Sequence, residues 1–389
     1  MNDSDLKFSF WNYCPLSPSS YKRVKEWKEL GMNLAMSYVY DPSISKKEDM
    51  IALLDECAKE GIKVLIYDKR TSFYNLLAQG EEDFRADVIK ASEDFSSHPA
   101  TYGFCLGDEP NFEQVDAFIK TAQIVAEITH NPHNFGNLLP YFGDKELQEI
   151  LGRDEKFYCS LVSKILNESK LPFIGYDCYE QCLDEGENQE EGIKHFLYGL
   201  RMYQSCCAKA GIPYYVSLIA VRHWRYRLPN KDDIKWQLSM SLAHGARGFI
   251  WFYLEQHECH PSFDEPAILS EGKGHSQIYQ DLMLSQGRFK KRLLPLFDSL
   301  SFEKVDYLEG RYALDYQGEG IEVISSRPLF STVSYFSSPD GHRYALLVNG
   351  SQRLANQYKI RLSGNETSGW TLPGDFRLFD LNSGKEVLL

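Results

Sequence analysis

The sequence predicts an α/β protein, a (β/α)8 TIM barrel followed by a C-terminal antiparallel β-sandwich. Three observations carry this. Short apolar runs alternate with helix-period segments eight times between Leu6 and Leu294. Helical segments stop at Gly31, Gly61 and Gly211, which suit a left-handed C-cap. From Pro295 onward short alternating runs, such as Gly320–Ser325 and Arg343–Val348, are separated by turn signals including Pro339-Asp340-Gly341 and Asn382-Ser383-Gly384.

Taken in order, Leu6–Cys14 reads as the first strand and Tyr21–Leu30 as its helix. Asn33–Tyr40, Ile62–Tyr67 and Ala100–Gly107 are the next three strands, with helices at Lys46–Glu60 and Glu81–Phe95 between them. Phe112–Thr129 precedes a fifth strand at Asn134–Leu139. A helical region, Lys145–Asn167, leads to a sixth strand at Pro172–Tyr176. Gly192–Ala210, Pro213–Ala220, Asp232–His244 and Gly248–Tyr253 complete the alternation, and Ile278–Leu294 is the last helix. At 389 residues the chain exceeds one barrel of about 250. The expected division is a catalytic barrel over residues 1–298 and a sandwich over 299–389.

Composition narrows the partners. With 42 basic and 55 acidic residues the net charge is −13, which disfavours nucleic acid or an anionic membrane surface. The start, Met1-Asn-Asp-Ser-Asp-Leu-Lys, lacks a basic region followed by an apolar one, and no apolar run is long enough for a bilayer. As written, the chain reads as cytoplasmic, or as secreted or periplasmic if a signal peptide has been removed. Nine cysteines without paired spacing suit reduced thiols. Oligomeric state has no signature.

In a βα-barrel the C-terminal ends of the strands carry the chemistry. Those ends hold Trp11 and Asn12, Asp68 and Arg70, Asp108 and Glu109, Asn137, Asp177 with Tyr179 and Glu180, Arg222 and His223, and Trp251 and Glu255. Tyr102, Phe104 and Leu106 make the fourth strand apolar on both faces; it then delivers Asp108 and Glu109, and Pro110 favours an extended backbone at Glu109. No phosphate-binding glycine loop and no Gly-x-Ser-x-Gly elbow is present, so no nucleotide cofactor is implied. Paired carboxyls among rings and amides suit glycoside hydrolysis, in which one carboxyl protonates the leaving oxygen and another meets an oxocarbenium-like centre.

The segments His98-Pro-Ala-Thr-Tyr-Gly-Phe-Cys-Leu-Gly-Asp-Glu-Pro-Asn111, Asn137-Leu-Leu-Pro140, Tyr176-Asp-Cys-Tyr179 and Ser241-Leu-Ala-His-Gly-Ala-Arg-Gly248 resemble glycoside hydrolases of the large (β/α)8 clan A, which includes families 5 and 42. Gut-bacterial members pair the barrel with a C-terminal β-sandwich. The resemblance covers nearly the whole chain and places the acid/base role on Glu109 of the Asp-Glu-Pro motif. The clan's nucleophile is a Glu at the end of strand seven. Here that strand runs Tyr214–His223 without a carboxylate. Asp177 and Glu255 are the candidates for a second catalytic carboxylate, with Asp177 ahead, and a third possibility is a barrel that binds sugar without hydrolysing it. A more distant one is a lyase or isomerase with His223 as base.

The expected partner is therefore a carbohydrate, an oligosaccharide or glycan fragment, with Trp11, Asn12, Asp68, Arg70, Asp108, Asn137, Tyr179, His223 and Trp251 as substrate-binding candidates and no cofactor. Trp251 suits stacking on a sugar ring. Asp68 and Arg70 suit an ion pair more than catalysis. His257-Glu258-Cys259-His260 has ligand-type side chains, but four adjacent residues converge poorly on one ion, so no metal is expected. Cys178, Cys182, Cys206 and Cys207 read as isolated thiols. The long Glu255–Gly274 loop reads as a lid.

Overall fold

The computed structural model describes residues 6–141, 154–184, 188–255, 263–270, 273–294 and 296–387. The chain forms two compact units. One comprises Lys7–Leu228 and Gly248–Ser276; the other comprises Met1–Leu6, Pro229–Arg247 and Gln277–Leu389.

The first unit is the barrel. Its strands are β1 (Lys7–Phe10), β2 (Leu34–Met36), β3 (Lys63–Ile66), β4 (Thr101–Asp108), β5 (Phe135–Leu138), β6 (Ile174–Asp177), β7 (Tyr214–Ile219) and β8 (Gly248–Phe252). All pair in parallel, in the order β1-β8-β7-β6-β5-β4-β3-β2. The Asn33 N–H donates to the Phe8 carbonyl at 3.2 Å, which brings β2 back to β1. The helices of this unit are α1 (Val24–Glu29), α2 (Lys47–Glu60), α3 (Phe73–Gln79), α4 (Glu81–Phe95), α5 (Val115–Thr129), α6 (Glu155–Glu168) and α7 (Gln189–Ala210). α2 and α7 end at Gly61 and Gly211 in the left-handed conformation expected of them.

Helix α3 is absent from the sequence-based assignment. Ser72 caps it, its side chain accepting from the Tyr74 N–H, ahead of a good helix-forming stretch. The predicted lid lies partly outside the described residues, the His257–His260 cluster entirely so. Of the predicted Lys145–Asn167 helix, residues 145–153 lie outside them as well.

Every strand position from Tyr102 to Gly107 is buried, as a strand covered on both faces requires. Inside the barrel Phe173 stacks on Tyr215 at 4.5 Å between ring centres, and Tyr102 and Phe135 flank it at 6.0 and 6.2 Å. Each buried ring contributes about 1.5–3 kcal/mol of transfer free energy, so this layer is a packed floor.

The second unit contains α8 (Lys231–Ala243), α9 (Gln277–Leu293) and the sandwich. Asn230 and Asp233 form a reciprocal capping box at the start of α8. The sandwich strands are β9 (Ser301–Leu308), β10 (Asp315–Gln317), β11 (Glu322–Ser325), β12 (Ser331–Ser337), β13 (Arg343–Asn349), β14 (Asn356–Leu362), β15 (Asn365–Thr371), β16 (Phe376–Asp380) and β17 (Lys385–Glu386). They form antiparallel sheets ordered β9-β12-β13-β16-β17 and β10-β11-β14-β15. β14 alternates buried and exposed residues strictly, sending Tyr358, Ile360 and Leu362 into a core shared with Val333, Tyr335 and Leu347. Trp236 of α8 donates to the Gly350 carbonyl at 2.8 Å, and His244 meets the Tyr307 hydroxyl at 2.5 Å.

Candidate active site

The site begins with a break in register. Between Cys105 and Asp108 strand β4 slips against β5, and Gly107 lies in the slip with φ +123°. A Cβ there would come within 2.6 Å of two ring carbons of Phe73 on α3, so the bulge and the helix packed over it both require glycine. The bulge sets Asp108 opposite Asn137. Asp108 Oδ1 accepts from Asn137 Nδ2 at 3.0 Å and Oδ2 from the Tyr13 hydroxyl at 2.9 Å, while its carbonyl accepts from the Tyr74 hydroxyl at 2.8 Å.

Glu109 corrects one expectation. Pro110 favours an extended residue before it, yet Glu109 has φ +49°. Its N–H donates to the Asn137 carbonyl at 3.0 Å, and this bond, following the bulge, turns the chain over at a cost of about 1 kcal/mol or more.

The turn brings the Glu109 carboxyl close to that of Asp177 at the end of β6, near enough for each to shift the titration of the other. Burial lifts Glu109 from 4.5 to about 7, the charge of Asp108 adds to the lift, and Asp177 offsets part of it. Asp177 is pushed well above the usual carboxylate range, first by burial, then by repulsion from Glu109 and Asp108. Burial also raises Asp108, against the bonds from Asn137 and Tyr13. Three carboxyls so close do not all ionise together, and the Glu109–Asp177 pair retains a proton near neutrality.

Aromatic rings surround the pair. Tyr13 stacks on Trp11 at 5.5 Å and meets Tyr67 and Phe252 edge-on at 6.3 Å. Tyr179 stacks on Phe252 at 5.1 Å and meets Tyr226 edge-on at 5.8 Å. Burial raises the Tyr179 phenol well above 10, and Asp177, Asp108 and Glu109 all add to the shift, so Tyr179 lies close to all three carboxyls. Three buried polar atoms at strand ends lack a hydrogen-bond partner among the described residues: Asn12 Nδ2, Asn137 Oδ1 and Asp177 Oδ1.

The structure thus brings together Asp108, Glu109, Asn137, Asp177 and Tyr179. Other predicted site residues go elsewhere. Glu255 accepts from Trp27 Nε1 at 2.8 Å and from the Tyr38 hydroxyl at 2.6 Å, and the charges nearest it are Arg23 and Glu26. Arg70 pairs with Asp68 at 2.8 Å and Asp94 at 2.9 Å. Trp251 is fully buried, between Ile250 and Phe252 of the interior cluster, so strand alternation turns it away from the pocket and it offers no face for stacking. Trp11 is buried beneath Tyr13, donating from Nε1 to Ser217 Oγ at 2.9 Å. His223 is buried with its ring 5.2 Å from that of Phe252.

Sequence reasoning missed Tyr13, Tyr67, Tyr74, Trp224 and Tyr226. Tyr13 was within reach, being two positions beyond Trp11 in the segment that follows β1. Tyr74 depends on the unassigned α3. Among the described residues no group of three or more His, Cys, Asp or Glu is placed to hold a metal ion, and none of the eight described cysteines is in a disulfide. No described helix is long and apolar enough to cross a membrane.

No family model matches the chain, and no curated protein matches its sequence. Solved structures do match. A β-galactosidase from Bacillus circulans sp. alkalophilus superposes with TM-score 0.62 at 8% identity, over 96% of this chain and 98% of the other. A family 5 glycoside hydrolase from Bacteroides vulgatus gives 0.58 at 13%, over 96% and 88%. The chain shares its fold with glycoside hydrolases. A β-galactosidase from Marinomonas ef1 gives 0.55 at 11%, over 73% of this chain, which spans only 60% of that protein. At such identities the likeness is one of fold.

Proposed function

We propose that the chain is a glycoside hydrolase in which Glu109 is the proton donor and Asp177 the second carboxylate. One observation carries the reading: the juxtaposed carboxyls of Glu109 and Asp177, in surroundings whose burial and adjacent Asp108 hold Glu109 at about 7. A donor must keep its proton near neutral pH, and this environment supplies that. Sugar entering between the carboxyls leaves the single proton of the pair on Glu109 and the negative charge on Asp177. Glu109 then gives its proton to the glycosidic oxygen as the C–O bond breaks, and Asp177 bonds to the anomeric carbon as a glycosyl ester. Water, giving a proton to Glu109, attacks the same carbon and displaces Asp177, which restores both carboxyls. Attack by a carboxyl in this way gives retention of configuration, the outcome of a pair about 5–5.5 Å apart rather than about 6.5–9.5 Å. The unpartnered Asn12 Nδ2 and Asn137 Oδ1 are suited to sugar hydroxyls, each of which both donates and accepts.

A second reading, a barrel that binds carbohydrate without cleaving it, is favoured by β7, whose end carries Arg222 and His223 and no carboxylate. The deciding experiment compares wild type with Glu109→Gln on aryl glycosides spanning poor and good leaving groups. Loss of about 10²–10⁴-fold, greatest for the poorest leaving group, is expected. Uniform turnover across both proteins removes Glu109 from the chemistry, and sugar binding with no hydrolysis by wild type leaves the second reading.

A further inference from the structure

Trp224 is the most exposed aromatic side chain among the described residues, at 70%. A lone exposed apolar residue is ordinary; the support beneath this one is not. Trp224 and Arg225 form the two-residue turn of a hairpin closed by reciprocal bonds between His223 and Tyr226, at 3.1 and 2.8 Å. That hairpin is tied to the segment following β6, with Asp184 N–H donating to the Arg225 carbonyl and Arg227 N–H to that of Cys182, both at 2.8 Å. The backbone of Trp224 is left-handed, φ +49°, an uncommon conformation for a bulky residue. Its ring stacks on the buried His223 imidazole at 4.2 Å, so one face is backed and the other turned to solvent.

From His223 the rings continue inward. His223 lies 5.2 Å from Phe252, Phe252 stacks on Tyr179 at 5.1 Å, and Tyr179 borders Glu109 and Asp177. Trp224 therefore stands at the outer end of a row of ring contacts whose inner end is the carboxyl pair. A rigid indole presenting one flat face suits the polarised C–H face of a pyranose, whose partial positive charge the ring quadrupole attracts.

We propose that Trp224 is the floor of an outer subsite that holds a second pyranose unit of the same glycan, beyond the unit bound at Glu109 and Asp177. The proposal rests on the glycoside hydrolase reading. It assigns the site to oligosaccharides rather than to single sugars, and makes Trp224 a determinant of chain length.

The test uses the full chain and two probe sets, 4-nitrophenyl monoglycosides and a panel of di- to hexasaccharides. In Trp224→Ala the ratio of kcat/KM for the preferred oligosaccharide to kcat/KM for the aryl monoglycoside should fall about tenfold, the worth of one aromatic stacking contact, with the loss in KM. Trp224→Tyr should restore most of it. Calorimetric titration of the same oligosaccharide into Glu109→Gln and into Glu109→Gln/Trp224→Ala should show the same loss in affinity without turnover. Wild type active on the panel with an unchanged ratio in Trp224→Ala overturns the subsite alone. Wild type that neither cleaves nor binds any member of either set overturns the glycoside reading, and the subsite with it.

Discussion

The carboxyl of Glu109, just beyond the end of β4, and that of Asp177, at the end of β6, lie close enough to shift each other's titration. Residues 68 positions apart in the sequence thus titrate as a unit, and neither ionisation belongs to one residue alone.

The first consequence is a pH profile. If Glu109 is the proton donor, it acts only while protonated, and kcat/KM should fall as pH rises through about 7. The negative charge of Asp108 helps hold the proton on Glu109, so Asp108→Asn should move this basic limb to lower pH. Asparagine can still accept from Tyr13, and Asn137 can present its oxygen to the new amide, which limits the structural damage. A limb that stays in place in Asp108→Asn would show that burial alone sets the donor.

Stability should also fall as pH rises, over a range that ends where activity begins to fall. Because folding raises the Glu109 pKa above its ordinary 4.5, the unfolded chain releases the proton first as pH rises. The cost to the fold is absent below about 4.5, grows between 4.5 and 7, and is complete above 7. At about 1.4 kcal/mol per unit its ceiling is about 3 kcal/mol, and the carboxyl's partial exposure lowers it. Glu109→Gln should therefore be more stable than wild type by about 1–2 kcal/mol at pH 8, with the difference vanishing near pH 4. Denaturant titrations at the two pH values measure it.

The barrel and sandwich were legible because the signals are local: apolar period, glycine caps and turn dipeptides each act within a few residues. The Asp-Glu-Pro stretch was legible as a strand end bearing two carboxyls for the same reason. The pairing of Glu109 with Asp177 was not, since it depends on a bulge at Gly107 and a left-handed Glu109 that the following proline argues against. Trp251 and Glu255 misled because a position at a strand end does not fix which side of the strand the side chain takes, and a one-residue difference reverses it.

Stereochemistry checks the contact directly. If Asp177 faces the anomeric carbon at the short separation of a retaining pair, proton NMR of the first product formed should show the substrate's anomeric configuration. Asp177→Asn should lower kcat by about 10³-fold or more while leaving the fold intact, since the amide keeps the shape of the carboxyl and removes a buried charge. An inverted first product would require the carboxyls to separate widely on binding and would remove Asp177 as the group in contact with the sugar.

Glu255 separates structural from catalytic burial. Its oxygens hold the Trp27 indole N–H and the Tyr38 hydroxyl, both in buried surroundings. Glu255→Ala orphans two donors and leaves a void, and should cost about 2–4 kcal/mol of stability. Glu255→Gln keeps one acceptor and sets an NH2 against the other donor, for a cost of about 1–2 kcal/mol. In either variant kcat per folded molecule should fall by less than about threefold, because the groups that shift Glu255 are Tyr38, Trp27, Arg23 and Glu26, with neither Glu109 nor Asp177 among them. Turnover normalised to the folded fraction decides it: a loss of 10²-fold or more in Glu255→Gln, with the fold retained, would return Glu255 to the chemistry.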